Sequence, residues 1–192
     1  SLTTGINNTA IGHQALTGNT SGESNTAVGY NAGLNATTAS YTVAIGFGAI
    51  GGGVLTGAGN IAVGYQAGYD LTTGTYNVFQ GYNAGFNVTT ASNTVAIGNS
   101  AIGLGTLTGT DNIAIGQGAG YALTSGQYNF FGGYRAGYNA TTANYTVAIG
   151  FSAIGLGVLT GADNIAIGRQ AGYDLTSGTS NVFAGYLAGT NV

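Results

Sequence analysis

A chain of 192 residues with 4% charged side chains, no lysine and a net charge of −3 carries no basic track for nucleic acid. With no cysteine there are no disulfides or thiolate metal sites, and glycine, threonine and asparagine interrupt every apolar run before the roughly eighteen residues of a membrane span. No secretory leader is legible at the amino end.

After a lead-in of seven residues, NTAIGHQALTGNTSGE from Asn8 and SNTAVGYNAGLNATTAS from Ser24 are the first of eleven copies of one unit. From Tyr41 the copies run YTVAIG, NIAVG, YNVFQG, and this trio then recurs twice. Lined up on a shared glycine, they give Gly12, Gly29, Gly46, Gly64, Gly81, Gly98, Gly116, Gly133, Gly150, Gly168 and Gly185, each followed three residues later by alanine. Self-similarity at a fixed period marks a repeat array, so residues 1-192 read as a single repeat domain. Its ragged start and its stop after Ala188 suggest a segment of a longer array without end caps.

Before each glycine the side chains alternate large, small, large, as in Val95, Ala96, Ile97. Period two means a strand, and β-branched residues fit a pleated one. Each unit is expected to hold one short strand ending at the glycine, a second around the alanine, and a return loop. The fold class that follows is all-β, a parallel β-solenoid of about eleven rungs of 16–19 residues, roughly 50 Å long at ~4.8 Å per rung. Its predicted core is Val43, Ile45, Ile61, Val63, Val95, Ile97, Ile113, Ile115, Val147, Ile149, Ile165 and Ile167, with Thr9 and Thr26 as weaker inward residues at one end.

Units beginning at Ser24, Tyr41 and Asn60 measure seventeen, nineteen and sixteen residues, a trio that repeats as a fifty-two-residue superperiod. The long member carries AIGGGVLTGAG or its relatives and predicts a longer loop on one face. An alternative closes one turn every fifty-two residues, which would stack Phe79, Phe131 and Phe183 directly. These phenylalanines replace an alanine, while Gln80, Gly132 and Ala184 replace the next large residue and are expected to offset their bulk. The alanine face is then packed as well, against the chain itself or a partner.

Asparagine precedes most strands, at Asn8, Asn25, Asn60, Asn77, Asn112, Asn129, Asn164 and Asn181, and predicts a ladder of stacked amides rather than a ligand site. The glycines supply positive φ and lack the strand-to-helix context of a phosphate cradle. One histidine, two arginines and five carboxylates are too scattered for catalysis or a metal site. Asp70, Asp111, Asp163 and Asp174 read as turn residues, as do Asn35, Asn87 and Asn139 in their Asn-x-Thr sequences. No catalytic, cofactor-binding or metal-ligating residue is assigned.

The candidate binding residues are the aromatics directly after the shared glycine: Tyr30, Phe47, Tyr65, Tyr82, Tyr134, Phe151 and Tyr186. Facing outward, such a stripe can stack on sugar rings or on a protein; facing inward, it is packing. Tyr69, Phe86, Tyr121, Tyr138 and Tyr173 form a second column. Paired threonines such as Thr72, Thr73 and Thr89, Thr90 raise ice binding, but adjacent strand residues face opposite sides, which counts against one flat array.

NTVAIGNSA and YTVAIGFSA resemble the head repeats of trimeric autotransporter adhesins, and NTAIGHQAL is similar to the glycine- and asparagine-rich repeats of bacteriophage tail fibres. The adhesin resemblance implies a left-handed β-roll, a homotrimer and a place on a bacterial surface; the fibre resemblance implies a virion tail. Both imply a non-enzymatic extracellular adhesin or fibre segment whose partners are itself, as a trimer or end-to-end filament, and a cell-surface glycan or protein receptor. The adhesin unit is shorter and lacks the three-rung superperiod. A structural spacer is the alternative to attachment, and an ice-binding solenoid is a third.

Overall fold

A computed structural model describes residues 4–191. Among them are eleven three-residue strands and no helix: β1 (Thr9–Ile11), β2 (Thr26–Val28), β3 (Val43–Ile45), β4 (Ile61–Val63), β5 (Val78–Gln80), β6 (Val95–Ile97), β7 (Ile113–Ile115), β8 (Phe130–Gly132), β9 (Val147–Ile149), β10 (Ile165–Ile167) and β11 (Val182–Ala184). Consecutive strands pair in parallel in one sheet, so each unit is one turn of a β-solenoid. Phe79 and Phe131 therefore lie three rungs apart, which rules out the fifty-two-residue turn.

In register Thr26 stands beside Val43 and Val43 beside Ile61, steps of 17 and 18 residues. The repeating steps are 17, 17 and 18, not the seventeen, nineteen and sixteen expected, because unit starts chosen at unlike residues misplace the boundaries. The alanine after the shared glycine sits in a turn rather than the expected second strand. The chain extends again across the core, where Leu71, Val88, Leu107 and Leu123 point inward and Ala36 bridges Leu55 in parallel.

The structure inverts the predicted core. Ala27, Ala44, Ala62, Ala96, Ala114, Ala148 and Ala166, the small residues at the strand centres, are buried at 0–1% exposure. The flanking large residues face out: Ile45, Ile61, Ile113, Ile115, Ile149, Ile165 and Ile167 are exposed, and Val43, Val63, Val95, Ile97 and Val147 are half-buried. Thr9 and Thr26 belong to this outer face too, one exposed and the other half-buried. A turn of so few residues encloses a narrow space, and the invariant alanine after the glycine already occupies part of it. Buried leucine, valine and isoleucine from the rest of the turn fill what is left, so the strand centre takes alanine in most rungs.

Volume is matched over three rungs. Phe79 and Phe131 fill the interior at 0% exposure and are accommodated by glycines, not by the residues at Gln80 and Gly132, which lie on the outer face. A Cβ on Gly85 would come 2.5 Å from Cδ1 of Phe79, and one on Gly68, a rung earlier, 2.6 Å from Cδ2. Where no phenylalanine reaches, the same position holds Ile50, Ile102 or Ile154, buried and left-handed at φ 47–48°. A β-branched residue there is strained by about 1–2 kcal/mol, which its burial of an isoleucine side chain offsets.

The asparagine ladder forms as expected. Asn77 Nδ2 donates to Ala91 O at 2.8 Å and to Asn60 Oδ1 at 3.0 Å, while its Oδ1 accepts the Thr94 backbone N–H at 2.9 Å. Every third rung ends the run, because Thr42, Thr94 and Thr146 turn their hydroxyls back to carbonyls of their own rung. Replacing Asn77 by leucine strips three bonds and leaves a buried N–H and carbonyl unpaired. The expected cost is about 2–4 kcal/mol, read from the denaturant midpoint.

Candidate functional site

The shared glycine sets the corner where the candidate residues stand. Its φ lies between 123 and 141° in all eleven copies. From Gly12 to Gly168 a Cβ on it would also collide with the corresponding glycine of the next rung. This double requirement explains why no copy departs from glycine. The chain turns outward past it, and the next side chain projects from the rod.

Tyr30, Phe47, Tyr65, Tyr82, Tyr134, Phe151 and Tyr186 all project into solvent, from 36% exposed at Tyr134 to 64% at Tyr186. Rungs fixed by the backbone ladder bring these rings into contact. His13, Tyr30, Phe47, Tyr65 and Tyr82 form one stack with centroids 4.9–5.1 Å apart and planes within 10°. Tyr134 stacks on Phe151 at 5.0 Å, and Arg169 lies between the rings of Phe151 and Tyr186 at 5.7 and 5.4 Å. Each ring pair adds about 0.5–1.5 kcal/mol, so the column both stiffens the rod and presents ring edges outward.

The second column is present in pairs, Tyr69 on Phe86 and Tyr121 on Tyr138, interrupted by Gly51, Gly103 and Gly155 of the longer rungs. Sequence reading missed a third column, at the residue two before each strand. Tyr41, Tyr76, Tyr128 and Tyr145 are exposed there at φ 51–58°, and Tyr128 stacks on Tyr145 at 5.0 Å. Asn7, Asp111 and Asp163 share that left-handed position, which was the available signal.

Asn35, Asn87 and Asn139 act as expected of turn residues. Each donates from Nδ2 to carbonyls of the longer loop in the next rung, for example Asn87 to Leu104 O at 2.8 Å. Burial raises the Asp70 carboxyl above the ordinary aspartate value, and Asp174, at the matching position, lies six rungs away. No group of three His, Cys, Asp or Glu side chains able to hold a metal ion occurs among the described residues.

The threonines correct the expectation made for them. Thr20, Thr37, Thr56, Thr72, Thr89, Thr108, Thr124, Thr141, Thr160 and Thr176 line one column, and several donate their hydroxyls to a carbonyl of the next rung, as Thr72 does to Thr89 O at 3.0 Å. The second of each pair, Thr38, Thr73, Thr90 or Thr142, is exposed, and the first, Thr37, Thr72, Thr89 or Thr141, is half-buried. Both face outward because the pair occupies a corner, where strand alternation does not apply.

Where Asn99 and Gln117 take ring positions the aromatic column breaks, and a cleft of about 150 Å³ opens, lined by these two with Ser100, Gly118, Tyr121, Arg135 and Tyr138. Comparison of the chain with known families, characterised proteins and solved structures finds no match.

Proposed function

We propose that this chain is a non-enzymatic segment of an extracellular fibre or adhesin that attaches a bacterial surface or virion to a receptor. The supporting observation is the outward aromatic column along the rod, whose rings are ordered by stacking before any partner arrives. Pre-ordered aromatic edges lose little entropy on binding, which suits them to sugar rings and protein surfaces alike. Whole-cell binding and a glycan array test the reading. Replacing Tyr65 and Tyr82 together by alanine is expected to weaken attachment by on the order of 2 kcal/mol without loss of fold. If the intact chain binds nothing, it is a spacer.

The segment also self-associates in this reading, side by side through the outer face of the sheet. That face carries two columns made largely of Val and Ile, uncharged along the strands, with Ile61 41% and Ile115 42% exposed. Contiguous apolar surface of this kind is uncommon on monomers, and a second copy has the same ~4.8 Å pitch to match it. The face suited to a common axis is therefore the Val and Ile face, since the alanine face lies inside each chain. A concentration-independent trimer mass supports this arrangement, a growing series points to end-to-end stacking, and a stable 18.8 kDa monomer refutes both.

The threonine column favours ice binding as a second reading, since it repeats a methyl and a hydroxyl at the rung spacing. Thermal hysteresis of the purified chain decides it: freezing-point depression beyond the colligative value is expected if this reading holds, and its absence removes it.

A further inference from the structure

We propose that the cleft around Gly118 is a subsite for one acidic sugar unit, a pyranose bearing a carboxylate. The inference rests on the attachment reading for its setting and names the ligand chemistry at one place on the rod.

The observations come from a comparison the molecule makes with itself. In the rungs of β3 and β4 the residues after the glycine are Phe47 and Tyr65, which stack at 5.1 Å and fill the column. In the matching rungs of β6 and β7 they are Asn99 and Gln117, both exposed. The second column is empty in the β6 rung as well, because Gly103 stands in the ring position. Gly118 forms the floor: a methyl there would come 3.2 Å from Cε2 of Tyr138 and 3.5 Å from Cγ of Arg135. Two ring positions have thus been exchanged for carboxamides over a side-chain-free floor.

The chemistry around the floor is that of sugar recognition. Asn99 and Gln117 offer amide donors and acceptors for ring hydroxyls, and Ser100 Oγ donates to Asn99 Oδ1 at 3.0 Å, which orients that amide. Tyr121 and Tyr138, stacked at 4.8 Å, give an apolar wall for the C–H side of a ring. Arg135 supplies the charge. Its guanidinium carbon lies 5.3 Å from the centre of the Tyr134 ring and 5.0 Å from that of Tyr138, and no carboxylate among the described residues pairs with it. Held by two rings, the planar fork is ordered for a bidentate carboxylate, which a neutral sugar lacks. Arg169 has no such role, because it takes a ring position itself.

The sister rungs also supply the variants. Gln117→Tyr copies Tyr65 and refills the gap, and Arg135→Gln takes the residue that Gln66 and Gln170 place at the same distance after the shared glycine in other rungs, with the same left-handed backbone at φ 49 and 57°. Saturation-transfer NMR on the intact chain, with D-glucuronic acid, D-glucose and acetate as separate probes, tests the site. Expected are transfer to glucuronic acid, at least about tenfold weaker binding of glucose and of the Arg135→Gln variant, and loss of binding in Gln117→Tyr. Absence of transfer in the unaltered chain, or equal affinity in Arg135→Gln, overturns the proposal. Acetate binding as tightly as glucuronic acid overturns the sugar and leaves a simple anion site. Replacing Tyr65 and Tyr82 by alanine separates this reading from the broader one: attachment lost with glucuronic acid still bound leaves the cleft standing, and attachment kept while Arg135→Gln changes nothing defeats the cleft alone.

Discussion

Gly98→Ala is expected to destabilise the roll by about 3–5 kcal/mol, enough to leave a marginally stable repeat protein largely unfolded. Two causes add. Gly98 has φ +128°, a region that costs other residues about 1–3 kcal/mol. The new methyl would also stand 2.6 Å from the carbonyl oxygen of Gly116, and the backbone of the next rung moves away only by breaking the hydrogen bond from Gly116 N to Ile97 O. Gly185 separates the causes, because it shares the backbone at φ +123° but a Cβ there meets nothing within 4 Å. Gly185→Ala should therefore cost only the conformational part. Urea unfolding followed by circular dichroism measures both, and equal losses at the two sites would sink the account of rung contact.

Phe131→Ala is expected to cost about 3–5 kcal/mol, since it empties a fully buried ring position, one of the largest side chains in the core. The sister rungs predict its repair. Gly120 sits at φ +58° where Ile102 has φ +47°, and a Cβ on Gly120 would meet Cδ2 of Phe131 at 2.9 Å. Gly120→Ile alone should thus destabilise by overpacking, whereas Gly120→Ile with Phe131→Ala should recover part of the lost stability. A double-mutant cycle with coupling of about 1–3 kcal/mol is the expected reading; additive losses would show that the two side chains do not share one space.

The period, the strand preceding each glycine, the parallel stacking and the asparagine ladder were legible because each follows from spacing alone. Which face of the strand points inward was not. Alternation in Val95, Ala96, Ile97 shows that two faces differ, and hydrophobicity nominates the larger residues for the core. The enclosed volume decides otherwise: with Ile102 and Leu107 already inside this rung, the strand turns Ala96 inward and leaves Ile97 on the outer face. The signal lay in constancy, since alanine stands three residues after the glycine in every copy while the outer positions vary among Thr, Val, Ile, Phe, Gln, Gly and Ala. In the candidate site the aromatic column was legible by register. The cleft was not, because it is made by residues that are small or absent, and Asn99, Gln117 and Gly118 read singly as ordinary surface positions.

The matching of volume across three rungs sets a unit of length for the rod. If the β7 rung were deleted, Phe131 would rest on Ile102 where Gly120 now leaves room, and the interior would collide. Deletion of the β6 rung would instead remove Ile102 and open a void. Only loss or gain of a whole trio, the distance from Phe79 to Phe131 in the chain, returns every interior residue to its present neighbours. Changes in copy number that keep the interior matched therefore alter the length of the rod in steps of three rungs, about 14 Å at ~4.8 Å per rung. The molecule is in this sense a ruler graduated coarsely, and its length is set as a whole number of such divisions.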